Sequence, residues 1–330
     1  MSRKMDNLEK NEVSLDVKDR KLLSELDFEG RLPYTQLAKR IGLSKQGTEY
    51  KLKNLIKKEI VKGIYPIINM SRLGYIYCRL LITFQNTTRE KHDEIIAYLT
   101  QHKKVFWLLS LQGIYDLLIV VWVQSVTEFT LFIQEFEEKY GEYTKRKTET
   151  VATDVIHYQH RYLLSKHKTK EVHIKESVQK VQLDFLDKKI IHALCTDGRL
   201  SLIEIARKVH CSAKVVAYRI KQLETKGIIE GYRPIINHTL LGYTYYKLFL
   251  SLNKRTNISH IKQYIIQQPC VIYLVEGVGL PADIDVELMI KSNKELFHFI
   301  EDVKFRFPGI IGEYQTCMFM DTLKVTYYPF

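Results

Sequence analysis

The sequence has few cysteines, and their pattern excludes two common ways of stabilising a small domain. Its 330 residues contain five cysteines, an odd number, and no two of them form a Cys-x-x-Cys pair. A disulfide framework needs paired cysteines, and a structural zinc site needs closely spaced ligands. The cysteines therefore indicate a protein of the reducing cytoplasm, for which we expect neither a metal nor a cofactor.

The sequence also lacks a long uninterrupted hydrophobic run. Residues 105–124 are its most apolar stretch, but Gln112, Gly113 and Asp116 interrupt the centre. A membrane-spanning helix needs about 20 consecutive apolar residues, so two buried strands around a tight turn explain this stretch better. Residues 1–14 lack the apolar core of a secretory signal, and we expect a mobile tail there. A cytoplasmic location without membrane contact follows.

Common catalytic motifs are absent as well. The sequence contains no phosphate-binding loop, no nucleophile elbow and no His-Glu-x-x-His pair. His157, His160 and His167 approach one another along the chain, but no carboxylate or cysteine stands at metal-ligand spacing. We interpret these histidines as a surface cluster, and we expect no catalytic residues and no enzyme activity.

What the sequence has instead is an internal repeat. The stretch KGIYPIINMSRLGY from Lys62 is followed 168 positions later by EGYRPIINHTLLGY from Glu230. The same shift aligns residues 30–32 with residues 198–200, both reading Gly-Arg-Leu. A chain of 330 residues exceeds what one hydrophobic core usually supports. Duplication of one unit therefore sets the domain plan.

Each copy begins with three helical patterns. In the first copy the helices begin near Asp16, Pro33 and Ser44, and Asp and Ser are good N-cap residues. The following segment predicts strands, so each copy is expected to form a winged helix-turn-helix with a two-stranded wing. The third helix turns an apolar stripe inward, formed by Thr48, Leu52 and Leu55 in the first copy and by Val216, Ile220 and Leu223 in the second.

The remainder of each copy predicts the order βαββαβ of a ferredoxin-like unit. The predicted fold class is therefore α+β, with two winged helix-turn-helix domains that are each followed by a ferredoxin-like domain. The predicted divisions are a tail (1–14), a first winged helix-turn-helix (15–75), a first ferredoxin-like domain (76–164), a linker with a helical end (165–180), a second winged helix-turn-helix (181–243) and a second ferredoxin-like domain (244–330).

Positive charge concentrates on the two helix-turn-helix segments. The chain has a net charge of +12. Residues 39–62 contain eight basic side chains against two acidic ones, and residues 207–233 contain seven against two. Basic side chains that neutralise phosphates release counterions, which drives binding to a polyanion. A polyanion is therefore the expected partner of these two segments.

The winged helix with its Gly-(Tyr)-x-x-Pro-x-Ile-Asn and Leu-Gly-Tyr segments, followed by a βαββαβ unit, resembles the Lrp/AsnC family of transcriptional regulators. The resemblance covers nearly the whole chain, twice over. It implies sequence-specific DNA binding by the helices that begin at Ser44 and Ser212, with the ferredoxin-like unit (called RAM in the family) as an assembly domain. It also implies a homo-oligomer of at least two chains. The fusion of two diverged units departs from the family's usual single unit per chain.

The side chains expected to face DNA lie opposite the inward stripes. Lys45, Gln46 and Lys214, near the helix N-termini, are expected at base edges, and the tyrosines and lysines further along at the backbone. Because the two faces differ, we expect an asymmetric site with half-sites about 10 bp apart. The predicted set is Ser44, Lys45, Gln46, Glu49, Tyr50 and Lys53 in the first copy, and Ser212, Ala213, Lys214, Ala217, Tyr218 and Lys221 in the second.

One position sets the second copy apart. His210 stands at the turn where the first copy has Gly42. Glycine adopts a left-handed conformation freely, whereas histidine does so with some strain. The second helix-turn-helix is therefore expected either to be reset or to serve chiefly in dimerisation.

The resemblance also implies an effector site in the ferredoxin-like unit. Gly113, Tyr115 and Asp116 match the family's Gly-x-x-Asp segment, where an amino acid binds near a subunit interface. A plain hairpin turn explains them equally well. In the second copy the segment is longer and contains Pro281 and Asp283, so one altered or lost site is expected rather than two equal ones.

Two other functions remain open at this point. Sirohaem decarboxylases resemble this fold in paired units, but they would require pocket histidines and arginines and no basic recognition helix. An architectural DNA-binding protein would use the same phosphate contacts with little sequence preference. The sequence also leaves open whether the two ferredoxin-like sheets pair within one chain or between chains.

Overall fold

The computed structural model describes residues 12–165, 170–177 and 179–328. Most of the predicted tail, and His167, lie outside these ranges. Within these ranges the first copy has five α-helices: α1 (Val17–Leu26), α2 (Tyr34–Ile41), α3 (Lys45–Lys57), α4 (Arg89–Gln101) and α5 (Val126–Tyr140). Its strands are β1 (Val61–Ile68), β2 (Ile76–Phe84), β3 (Val105–Gly113), β4 (Leu117–Val123) and β5 (Thr144–Tyr158).

The second copy repeats this order. Its helices are α6 (Phe185–Thr196), α7 (Leu202–Val209), α8 (Ala213–Thr225), α9 (Ile258–Gln267) and α10 (Asn293–Arg306). One strand, β6 (Glu171–Lys175), lies between the copies, and the second copy continues with β7 (Ile229–Ile236), β8 (Thr244–Leu252), β9 (Val271–Val278), β10 (Ile284–Ile290) and β11 (Ile311–Val325). The predicted fold class, α+β with two helix-turn-helix units and ferredoxin-like βαββαβ units, is confirmed.

The helices begin where the sequence places cap residues. The Asp16 side chain accepts a hydrogen bond from the Asp19 backbone, and Asp19 returns the contact, so the first orphan N–H groups of α1 are satisfied. The hydroxyls of Ser44 and Ser212 accept in the same way at the starts of α3 and α8. Both predicted inward stripes of the third helices are buried.

The wing is shared between the two copies. Strand β1 pairs antiparallel with β7 in a two-stranded sheet, so the prediction of a two-stranded wing within each copy is wrong. Each copy contributes one strand, and the strand of the other copy is its hydrogen-bonding partner. Reciprocal side-chain contacts support this ribbon: Arg31 donates to the Gly198 carbonyl, and Arg199 donates to the Gly30 carbonyl. The two helix-turn-helix units consequently share one hydrophobic core.

The ferredoxin-like units pair within the chain too. Strand order β2-β4-β3-β11-β8-β10-β9-β5, with β5 also paired to β2, closes an antiparallel ring of eight strands. The β3–β11 and β5–β9 ladders join the copies. Helices α4 and α5 cover one outer side and α9 and α10 the other, each over its own core. A further core lies between the two halves of the ring.

The segment predicted as a linker, 165–180, contains strand β6 instead of a helical end. Strand β6 pairs with β5, with Asp154 opposite Lys175 and Tyr158 opposite Glu171. The connection is thereby held against the first ferredoxin-like unit. Among the residues that the structure describes, none of the helices has the length and apolar composition needed to span a bilayer.

Candidate nucleic-acid interface

Helices α3 and α8 present polar faces opposite their buried stripes. Lys45 and Gln46 are exposed in the first turn of α3, and Lys214 is exposed in the first turn of α8. Tyr50 and Tyr218 occupy the same position of the two helices and are 71% and 61% exposed. Both rings therefore lie on the outward side of their helices, opposite the buried stripes.

The two polar faces differ in charge. Glu49 and Lys53 form an ion pair of 2.8 Å on α3, one helical turn apart. The hydrogen bond from Lys53 lowers the pKa of Glu49, which keeps this carboxylate ionised. In α8 the corresponding residues are Ala217 and Lys221, so this lysine has no carboxylate one turn before it, and Glu224 lies three residues after it. A carboxylate can accept a hydrogen bond from cytosine N4 and repels phosphate, so the two faces differ in the contacts that they can make.

The turn before the second recognition helix is not reset. His210 has φ 57° and ψ 50°, close to the values of 70° and 53° at Gly42. Both residues donate their backbone N–H to the equivalent alanine carbonyl, Ala206 or Ala38. Helix α8 therefore begins with the geometry of α3, and the strain falls on His210 alone.

Several of the counted basic residues are bound by carboxylates from other elements. The Lys51 ammonium lies 2.6 Å from Asp16 and 2.8 Å from Asp19, the two residues that cap α1. The first copy thus fixes its recognition helix against α1 with an ion pair. The second copy does the same with Arg219, which contacts Asp184 and Asp187 at 2.7 and 3.3 Å.

Arg40 is bound in a similar way, 3.0 Å from Glu25 and 2.6 Å from Glu29. The charge available to DNA on the helix-turn-helix segments is therefore smaller than the sequence count implies. The exposed lysines on and next to the recognition helices remain the main source of positive charge, because their side chains extend into solvent. They are Lys45 and Lys57 in α3, Lys53 with its Glu49 partner, Lys58 directly after α3, Lys214 and Lys221 in α8, and Lys226 directly after α8.

A buried ionic cluster joins the copies where the sequence predicts a surface. The Arg233 guanidinium lies 2.6 Å from Asp27, and both side chains are buried. Burial raises the pKa of Asp27, but the Arg233 guanidinium and the hydrogen bond donated by the His160 backbone N–H outweigh it, and the net shift is downward. His160 is itself only 6% exposed, so its assignment to a surface cluster is wrong. The fold buries it because strand β5 continues into the helix-turn-helix core.

The residues predicted to bind an effector have structural partners. Asp116 accepts a hydrogen bond of 2.7 Å from the Phe84 backbone, and Asp283 accepts one of 2.8 Å from Leu252 at the equivalent place. These bonds fasten the hairpin to the end of the neighbouring strand in each copy. Both predicted aspartates are therefore used by the fold.

Tyr115 and Gly113 are likewise explained by packing. The Tyr115 ring is buried and its hydroxyl lies 2.7 Å from the Thr148 hydroxyl. A Cβ atom at Gly113 would lie 2.4 Å from the Thr316 carbonyl oxygen, so glycine is needed where β11 approaches β3. Pairing of the two copies accounts for this glycine without a ligand.

Sequence reasoning missed a second buried ionic cluster, inside the strand ring. Arg79, Lys247, Asp285 and Glu287 lie there with side-chain exposures of at most 5%. Each was hidden in a segment that reads as an apolar strand. A charged residue within such a strand is the one signal that could have found them.

Comparison with known sequences gives matches in both copies. Residues 15–62 match a winged helix-turn-helix DNA-binding domain, and residues 183–224 match an AsnC-type helix-turn-helix domain. A similar protein is the HTH-type transcriptional regulator FL11 of Pyrococcus horikoshii, 30% identical over 147 residues, which are 44% of this chain and 95% of that protein. The leucine-responsive regulatory protein of Rhizobium meliloti is 42% identical over 66 residues, which are 20% of this chain and 42% of that protein.

Among solved structures, the siroheme decarboxylase NirDL resembles the whole chain. It has a TM-score of 0.62 and 15% sequence identity, and the match covers 95% of this chain and 94% of that one. Identity at this level describes the shared fold alone. The tandem arrangement therefore occurs in more than one protein.

Proposed function

The chain belongs to the Lrp/AsnC family of transcriptional regulators, and we propose that it reads an asymmetric two-part site on double-stranded DNA with α3 and α8. The observation that carries the proposal is that α3 and α8 have the same caps and the same preceding turn but present different polar faces. The β1–β7 ribbon and the shared core join their two units. One chain then supplies both reading helices.

Lys45, Gln46 and Glu49 would contact base edges from α3, and Lys214 from α8. Exposed Tyr50 and Tyr218 and the lysines one turn along would contact the sugar–phosphate backbone. Ser44 and Ser212 would act through their caps, because their hydroxyls already accept backbone N–H groups. The remaining members, Ala213 and Ala217, would make apolar contacts in the groove, and Lys53 and Lys221 contacts to phosphate.

Selection of bound fragments from random duplex DNA tests this proposal. The native chain should enrich a motif of two unlike parts about 10 bp apart. Lys45→Ala/Gln46→Ala should lose one part and Lys214→Ala the other, with Lys188→Ala as a control outside the recognition helices. Salt-sensitive binding without any motif would point to an architectural role. Absence of binding to DNA would contradict both.

The enzymatic alternative rests on fold likeness. Such an enzyme would need histidine and arginine side chains directed into a pocket. Here Arg233 is engaged by Asp27, the Tyr158 carbonyl and the Tyr273 hydroxyl, and His160 is packed beside them. These contacts favour a structural role for both residues, and we propose that the chain is not an enzyme. Binding to genomic DNA would place it in the cytoplasm.

We also propose that an amino acid-like effector binds at the hairpin around Gly113, Tyr115 and Asp116, or at the one around Asp283. The family supports this, while the Phe84 backbone already binds one oxygen of Asp116, and Leu252 and Arg255 each bind one oxygen of Asp283. Thermal unfolding with each amino acid, repeated with Asp116→Ala and Asp283→Ala, tests it. Mass measurement in solution tests whether two or more chains assemble.

A further inference from the structure

The ring of eight strands encloses a small ionic network that includes both copies. Arg79 on β2 lies 2.9 Å from Asp285 on β10, and Lys247 on β8 lies 2.6 Å from the same carboxylate. Lys247 also lies 2.9 Å from Glu287. The Tyr245 hydroxyl donates to Glu287 as well. The four ionised side chains balance, with two positive and two negative charges.

The two copies contribute unequally to this network. Arg79 and Lys247 occupy equivalent positions, 168 residues apart in the sequence. Opposite Arg79 on β4 stands Val120, whereas opposite Lys247 on β10 stands Glu287. Leu118 of the first copy likewise corresponds to Asp285 of the second. To this network the first sheet thus contributes one positive charge, and the second sheet contributes one net negative charge.

Only one of the three ways to pair these sheets balances the charge. Two first copies together would bury two Arg79 side chains with no carboxylate from this network. Two second copies would bury four carboxylates against two Lys247 side chains. Unpaired charge in a protein interior is strongly unfavourable, whereas a balanced pair replaced by apolar residues is often tolerated. Discrimination of this kind comes from penalties on the wrong pairings.

We propose that Arg79, Lys247, Asp285 and Glu287 select the partner of each ferredoxin-like sheet, so that a first-copy sheet pairs with a second-copy sheet and not with its own kind. The partner that the inner face of each sheet fits is therefore the other half of the duplicated chain. The contact from Arg79 to Asp285 is the one that crosses between the copies. Arg79 also donates to the Thr150 hydroxyl at 2.8 Å within its own sheet, which fixes the guanidinium for that contact.

The ionisation of Asp285 agrees with this role. Burial alone would raise the pKa of its carboxyl group, but Lys247 and Arg79 more than compensate, and the net shift is downward. The carboxylate is consequently charged at neutral pH. The network lies in the strand ring, so the proposal does not depend on DNA binding.

A mutant cycle in the full chain tests the charge balance. Arg79→Leu and Asp285→Leu each leave one uncompensated charge, and Asp285→Leu copies the residue of the first repeat at this position. The urea concentration at the midpoint of unfolding should fall strongly in each single variant, and in the double variant it should return most of the way to the native value. A double variant whose loss equals or exceeds the sum of the single losses, or one that does not fold, would overturn the proposal.

Cross-linking of full chains tests pairing choice directly. Gln112 and Met318 are opposite each other in the β3–β11 ladder, so cysteines there report contact between a first and a second sheet. In the matched mixture, an Arg79→Leu chain carries Gln112→Cys and an Asp285→Leu chain carries Met318→Cys, and both are refolded together. In the mismatched mixture, both chains carry Asp285→Leu.

Cross-linked pairs in the matched mixture combine the Arg79→Leu sheet with the Asp285→Leu sheet, so both charges are removed and the network stays balanced. Pairs in the mismatched mixture set native Arg79 against the Asp285→Leu sheet and leave a guanidinium uncompensated. We expect the yield of disulfide-linked dimer between chains to be about tenfold higher in the matched mixture. Equal yields would overturn the proposal, because packing without charge would then be choosing the partner. The double variant carrying both cysteines in one chain controls for cysteine reactivity.

Discussion

The two recognition helices agree in every feature that packing controls and differ on the side that faces outward. Ser44 and Ser212 cap them alike, and both bury one apolar stripe. On the outward side, Gln46 and Glu49 of α3 stand where α8 has Lys214 and Ala217. Because outward residues do not affect the core, the duplicated helices could diverge there without loss of stability.

A second contrast lies in the interfaces between the copies. Asp27 and Arg233 form a buried ion pair, whereas the equivalent positions hold Cys195 and Tyr65. Cys195 packs against the shared apolar core, and Tyr65 stacks on Tyr327 with ring centroids 4.3 Å apart. One side of the chain is thus joined by charge and the other by apolar contacts.

Loss of the charged interface should have the largest effect. Asp27→Ala leaves the Arg233 guanidinium buried without its carboxylate, which we expect to cost about 3–5 kcal/mol of the free energy of unfolding. Cys195→Ala at the equivalent position should cost about 1–2 kcal/mol, the range for deleting a small partly buried side chain. Urea unfolding of both variants measures the difference. Equal losses of free energy of unfolding would mean that the Asp27–Arg233 ion pair contributes no more to stability than the apolar contacts of Cys195.

Acid should weaken the same side of the chain. Burial lowers the pKa of His160 to about 4, whereas the residue at its equivalent position is Tyr328. The unfolded chain binds the His160 proton first as the pH falls, so stability present above about pH 6.5 is lost towards pH 4.

At pH 5 this loss should reach about 2 kcal/mol. The free energy of unfolding at pH 7 and pH 5 measures it, and His160→Gln should remove this part of the loss. The loss from His157 remains in that variant, because burial lowers the pKa of that imidazole as well. A variant as acid-sensitive as the native chain would exclude His160 as the cause.

Two lysines of the first recognition helix should separate binding from stability. Lys53 is exposed and is the α3 lysine assigned to phosphate, so Lys53→Ala should weaken DNA binding and reduce the salt slope by about 1. Lys51 is held by Asp16 and Asp19, so Lys51→Ala should leave the slope unchanged and cost about 0.5–1 kcal/mol of stability. Binding at several salt concentrations distinguishes them, and a reduced slope for both would mean that the ion pairs open on DNA.

The two turns should also have a small effect on stability. His210→Gly relieves a left-handed residue that has a side chain and should stabilise the chain by about 1 kcal/mol. Gly42→Ala places a side chain in the same conformation and should destabilise it by a similar amount. Thermal unfolding checks both, and a destabilised His210→Gly variant would mean that the imidazole makes a useful contact.

The parts of this fold that could be predicted from the sequence are local. Helix caps such as Asp16 and Ser44 act within three residues, and the buried stripes repeat within one helix. The internal repeat then doubled every such signal. The placement of exposed Lys45, Gln46 and Lys214 on outward faces also follows from periodicity alone.

The parts that could not be predicted depend on distant residues. Which strand pairs with β1 is decided 168 positions along the chain, and nothing in the wing itself indicates a partner in the other copy. Lys51 looked available to DNA because its partner Asp16 is 35 residues away, and Arg79 meets Asp285 across 206 residues. Charges in such pairs cannot be distinguished from free charges until the contacts are known.

The shared ribbon of β1 and β7 makes dilution irrelevant to the reading pair. Two recognition helices on separate chains separate when the dimer dissociates, which happens below its dissociation constant. Two helices in one chain stay at a fixed effective concentration, whatever the concentration of the protein. The cellular concentration of the protein would then set how many DNA sites are occupied, while every bound chain would carry both recognition helices. A substitution in α3 or α8 then changes one recognition helix and leaves the other unchanged.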